Sequence, residues 1–158
     1  MAPKRVLILG HSFVHLLYSF IDSSSSPTLT LPLGLEERIN VKWQGIGGRT
    51  VAKVLQHDLH IVESFKHQIV VLELGTNDLF HLAPSTVGSS LEDLTQVLHS
   101  RYAVQRVVVW QTLFRDKNPD FNEQVTLLNK YSAVVISSLR TPISGYTEVC
   151  GTPRRLFI

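Results

Sequence analysis

One feature constrains this chain more than any other. A short apolar run, a turn of glycine or small polar residues, and a longer stretch with helical spacing recur in that order four times. Residues 6–9 are continuously apolar and closed by Gly10. A run without polar alternation must be covered on both faces, which is the condition of a strand in a parallel sheet flanked by helices. Residues 13–21 then read as a helix. Residues 39–43 resume β-branched and aromatic character, end at Gly45-Ile46-Gly47-Gly48, and pass into residues 50–65, where Val51, Val54, Leu55, Leu59 and Val62 follow helical spacing. Residues 68–74 form the clearest buried strand and stop at Gly75. Leu91, Leu94, Val97 and Leu98 then share one face of a helix over residues 87–99. Residues 106–112 give a fourth strand. Residues 120–139 give a last helix, starting after Pro119 and carrying Phe121, Val125, Leu128, Tyr131, Val135 and Leu139. Such alternation predicts parallel strands joined by right-handed crossovers, a three-layer, doubly wound α/β domain.

Length and charge narrow the possibilities further. The 158 residues suit one domain of the usual ~100–200 residues. Fifteen Lys and Arg against thirteen Asp and Glu leave a net charge of +2, without the clustered positive field that nucleic acid demands. No run approaches the ~18 apolar residues of a membrane span, so neither nucleic acid nor membrane is expected as a partner. Lys4 and Arg5 precede an apolar stretch, but Gly10, His11 and Ser12 interrupt it and no small-residue cleavage site follows. The start therefore reads as a strand entering a helix rather than a secretion signal. The lone cysteine, Cys150, cannot close an internal disulfide and fits a reducing compartment, so the expected location is cytoplasmic. The serine run 23–26 before Pro27 reads as a surface loop.

In open α/β sheets the ligand crevice lies beyond the carboxyl ends of the strands. Three turns there carry chemistry: Gly10-His11-Ser12-Phe13, Gly45-Ile46-Gly47-Gly48-Arg49-Thr50 and Gly75-Thr76-Asn77-Asp78. Each also has an ordinary structural explanation. Ser12, Asn77 or Asp78 can cap a helix, and Gly47 and Gly48 can simply supply positive φ. A strand order of 2-1-3-4-5 would bring all three turns to one switch point. There Ser12 would attack an acyl carbonyl, while its own N–H, that of Gly48 and the Asn77 amide hold the developing oxyanion. The glycine-rich turn lacks the spacing of a dinucleotide fingerprint or a phosphate loop. Asp116, Asp120 and Glu123 make no recognisable metal set, so no cofactor and no metal are expected.

The segments Val-Leu-Ile-Leu-Gly-His-Ser12-Phe, Gly-Ile-Gly-Gly48-Arg-Thr and Leu-Glu-Leu-Gly-Thr-Asn77-Asp-Leu resemble, in order and spacing, the first three sequence blocks of the SGNH (GDSL-like) hydrolases. The resemblance implies a flavodoxin-like fold, ester hydrolysis of acyl or acetyl groups, and a small-molecule ester as substrate. It runs more loosely through the Phe114-Arg115-Asp116 turn and the last helix. Two departures stand out. His11 replaces the acidic residue common before the nucleophile. The Asp-x-x-His block that supplies the family's general base has no counterpart in residues 141–158, which contain neither histidine nor aspartate.

A serine hydroxyl without an adjacent base is a poor nucleophile. Asp78-Leu79-Phe80-His81 spells the spacing but overlaps the asparagine turn, and His11 and His15 adjoin Ser12 without an obvious in-line placement. His57, His60, His67 and His99 are expected to be solvated. The division expected is an esterase-type domain over residues 1–140 and an atypical tail over 141–158, with the last edge strand missing or altered. Three readings stay open: an esterase, truncated or weakly active; a non-catalytic module binding acyl or sugar groups in the same crevice; and a nonfunctional fragment. No sequence feature encodes an oligomeric state.

Overall fold

The computed structural model describes residues 3–24, 38–115 and 117–138. The loop expected after the first helix falls largely outside them, as do Asp116, Leu139 and the 141–158 tail with Cys150.

The elements are β1 (Lys4–Gly10), α1 (Ser12–Ser23), β2 (Ile39–Gly45), α2 (Val51–Lys53), a π-helical turn (Val54–Asp58), α3 (Leu59–Phe65), β3 (Ile69–Glu73), a 3-10 turn (Asp78–Phe80), α4 (Pro84–Tyr102), β4 (Arg106–Val109) and α5 (Pro119–Ser138). The four strands form one parallel sheet in the order β2-β1-β3-β4. The expected α/β class and strand order are therefore those observed, and β2 and β4 are the edge strands among the described residues.

β1 lies at the centre of the pairing. Val6 stands opposite both Val41 and Ile69, and Gly10 opposite Gly45 and Glu73. Its alternate residues enter two cores. Leu7 and Leu9 join Val70, Leu72, Val51, Val54, Leu91, Leu94, Leu98, Val125 and Leu128 on one side. Val6 and Ile8 join Val14 of α1 on the other. Each fully buried leucine or valine here stabilises the fold by about 1.5–3 kcal/mol over leaving it in water. α1 thus covers one face of the sheet and the other helices cover the opposite one, which gives the three layers.

Two differences from the sequence reading have physical causes. The strand expected over 106–112 ends at Val109; Trp110 N–H still donates to the Leu72 carbonyl at 2.8 Å, but by Thr112 the main chain is held by a side chain. Asn129 holds Thr112 on both sides, accepting from its N–H and donating to its carbonyl, each at 2.9 Å. The helix expected over 50–65 is continuous in direction but widens to π geometry at Val54–Asp58. That turn buries Asp58, 2% exposed, while Leu55 and Leu59 stay only partly buried against the core. Such widened turns often occur at functional sites.

Candidate active site

The three glycine turns meet at the carboxyl ends of β1, β2 and β3, and hydrogen bonds tie each to the others. Ile46 N–H donates to the Gly10 carbonyl at 3.0 Å, joining the first turn to the second. Asn77 Nδ2 donates to the Arg49 carbonyl at 2.9 Å, and Val51 N–H donates to Asp78 Oδ1 at 3.0 Å, joining the second to the third. His11 N–H reaches the Glu73 carbonyl at 3.4 Å, and His11 Nε2 lies 3.0 Å from Glu73 Oε2, joining the first to the third.

Ser12 opens α1 and is exposed. The cap of that helix is not Ser12 but the residue before it: Phe13 N–H donates to His11 Nδ1 at 3.2 Å. The serine hydroxyl is thereby left without a capping duty. The close seating of α1 on β2 depends on Gly45, because a Cβ there would collide with the main chain of His15.

Gly48 has φ +69, a left-handed conformation that suits glycine, and it is exposed. Lys53 Nζ donates to the Gly48 carbonyl at 3.0 Å. The next residue is anchored more firmly. Arg49 Nη2 donates to Asp58 Oδ1 at 2.9 Å and its Nε lies 2.8 Å from Asp58 Oδ2, a two-pronged pair with a buried carboxylate.

Asn77 is half-buried, and its bond to Arg49 uses one amide hydrogen. Asp78 caps a helix, as its type suggests, but the helix is α2 rather than its own. Burial pushes the Asp78 carboxyl above its ordinary value, and the hydrogen bond from Val51 only partly opposes this. The Asp78-x-x-His81 spelling does not make a dyad. His81 is exposed and gives Asp78 only a main-chain hydrogen bond, N–H to carbonyl at 2.9 Å.

The other histidines are equally committed or remote. His11 has both ring nitrogens engaged. His67, expected to be solvated, is 3% exposed, packed against the Phe65 ring at 4.5 Å, and burial holds its imidazole below the usual value. It sits at the amino end of β3, beside a cavity of about 450 Å³ lined in part by Arg5, Lys66 and Arg101. Lys66 and Arg101 there adjoin the ends of α3 and α4, where cations complement the exposed carbonyls. That cavity is at the opposite end of the sheet from Ser12. His60 and His99 bond to main-chain carbonyls.

Sequence reasoning passed over Arg49, Asp58 and Glu73 as site-building residues. Glu73 and Asp58 did leave a trace: each is an acid within an apolar strand or helix face, and a buried carboxylate needs a partner.

The chain matches the GDSL-like lipase/acylhydrolase family over residues 9–142. Comparison with curated proteins gives no match. Among solved structures it is similar to a mutant of Axe2, an acetyl-xylooligosaccharide esterase from Geobacillus, with TM-score 0.66 and 16% identity over 87% of this chain and 74% of that one. It is also similar to LAE5, an α/β hydrolase from the metagenome of Lake Arreo, with TM-score 0.68 and 16% identity over 87% and 75%. A third is described as a platelet activating factor from Streptococcus pneumonia, with TM-score 0.60 and 16% identity over 87% and 63%. At these identities the structures speak for the fold alone. The family match spans most of the sequence and contains all three turns, and on it the chain belongs to the GDSL-like lipase/acylhydrolases.

Proposed function

We propose that the chain hydrolyses small, neutral carboxylic esters, with Ser12 as nucleophile and the N–H groups of Ser12 and Gly48 and the Asn77 amide as oxyanion donors. The observation that carries this reading is the mutual locking of the three turns. Four hydrogen bonds and one ion pair hold an uncommitted serine, a left-handed glycine and an anchored asparagine at one end of the sheet. In the first step Ser12 Oγ bonds to the acyl carbon, its proton passes to a base, and the carbonyl oxygen takes up negative charge between the donors. Collapse expels the alcohol, and water then releases the acid from the acyl-serine.

The base sets the rate. Residues 141–158 spell no Asp-x-x-His, and His11 has no free ring nitrogen. Activated esters, whose leaving groups depart without being protonated, are the first panel to try. Acetylated sugars, the class named for the Geobacillus esterase, are a second panel to try. The lone cysteine fits the cytoplasm as the place of action. The commitment of His11 also favours a second reading, a module that binds acyl groups without turnover.

A fluorophosphonate probe and p-nitrophenyl acetate separate the two. Labelling and turnover in the wild type, both lost in Ser12→Ala, establish the esterase. Equal and negligible labelling of both proteins, with calorimetric binding of acetylated sugars, establishes the binding module.

A further inference from the structure

We propose that Asp58 is a positioning residue for the oxyanion hole, acting through Arg49 on both Gly48 and Asn77; the inference rests on the esterase reading above. Asp58 lies in the π-helical turn, 2% exposed, in a helix whose other inward residues are apolar. A carboxylate in such a place is retained only with a partner, and its partner is the guanidinium of Arg49, with contacts of 2.9 and 2.8 Å. Arg49 is the residue immediately after Gly48, and its main-chain carbonyl accepts from Asn77 Nδ2 at 2.9 Å. The side chain of Arg49 is therefore clamped to the helix while its main chain clamps the asparagine.

The clamp has a chemical consequence. An asparagine amide has two N–H donors. One is spent on Arg49, which fixes the amide plane and assigns Nδ2 rather than Oδ1 to that side. Among the described residues no second partner holds the other donor, so it remains available for an oxyanion. Gly48 is held in the same frame, since its carbonyl is bonded by Lys53 and its successor by Asp58. Asp58 shares the inward face of this segment with Val51, Val54, Ile61 and Val62. From the end of the widened turn its carboxylate meets Arg49, the residue that follows the glycine loop.

Three proteins test the proposal: wild type, Asp58→Asn and the pair replacement Arg49→Met/Asp58→Leu. The last removes both charges together and strands neither, which keeps the fold measurable if the single variant unfolds. Hydrolysis of p-nitrophenyl acetate should lose about 10- to 100-fold in kcat with KM within about twofold, because a displaced donor weakens the transition state and not the ground state. In an Asn77→Ala background the same replacements should cost much less, since the group they position is gone. Hydrogen exchange of the Asn77 side-chain amide, read by NMR, should quicken at least about tenfold. Unchanged kcat and unchanged exchange in the folded variants would overturn the proposal, as would equal losses of kcat with and without Asn77. If Ser12→Ala leaves hydrolysis unaltered, the esterase reading falls, and the exchange rates still decide whether Asp58 holds Asn77.

Discussion

His11 Nε2 lies 3.0 Å from Glu73 Oε2, and both side chains are buried, at 7% and 2% exposure. The other ring nitrogen accepts from Phe13 N–H, which leaves Nε2 as the nitrogen that faces the Glu73 carboxylate. This one imidazole caps the helix that begins at Ser12 and ties it to the strand that leads to Asn77. Where the family commonly has an acid, the chain has a histidine that needs an acid elsewhere, and Glu73 supplies it.

His11→Ala should therefore destabilise the fold by about 3 kcal/mol, because it leaves Glu73 buried without a partner and removes the cap. Glu73→Gln, which keeps an acceptor in place, should cost about 1 kcal/mol. Urea unfolding measures both. Long-range nitrogen–proton NMR should find the proton on Nε2 in the wild type, and a proton on Nδ1 would refute the arrangement.

Asn77→Ala removes the proposed oxyanion donor and frees the Arg49 carbonyl. It should lower kcat about 10²- to 10³-fold, or ~2.7–4 kcal/mol of barrier stabilisation, with little change in KM. Steady-state hydrolysis of p-nitrophenyl acetate is the check, and a loss confined to KM would remove Asn77 from the transition state.

The framework of this site was legible in the sequence, and its fastenings were not. Continuous apolar runs such as residues 6–9 admit few arrangements, and their alternation with helices predicts the parallel order now seen. Ser12, Gly48 and Asn77 were visible because each follows a strand in a turn of unusual composition. The partners of the polar residues were hidden, because Asn77 and Arg49 are 28 positions apart and His11 and Glu73 are 62 apart, and only the folded sheet sets them side by side. Asp58 was masked differently: it falls on the inward face four residues after Val54, but an apolar pattern takes no account of a carboxylate there. His67 was misjudged as solvated because it precedes a strand, where position in sequence does not reveal that the Phe65 ring will cover it.

His67 gives a pH prediction with a definite sign. Its native pKa is depressed below the ordinary 6.5, chiefly by burial. Above pH 6.5 neither folded nor unfolded chain protonates it, and its contribution is constant. As pH falls below 6.5 the unfolded chain binds a proton that the native state refuses, so stability declines until the native value is passed. Denaturation midpoints at pH 7.5 and 5 should therefore differ more for the wild type than for His67→Leu. Identical slopes in the two proteins would show that His67 does not titrate differently on unfolding.

The central place of β1 has a consequence for how the molecule comes into being. Its two neighbours are Val41 on one side and Ile69 on the other, seen from Val6, so the strand that leads to Ser12 is made first and gains its second neighbour only with β3. During synthesis the serine leaves the ribosome dozens of residues before β3 exists. Contacts across such separations form slowly, because the intervening chain must be ordered before they repay that cost. Ser12, the glycine loop and Asn77 therefore come together only once β2 and β3 have both paired with β1, and a chain cut short of β3 lacks the cluster of turns.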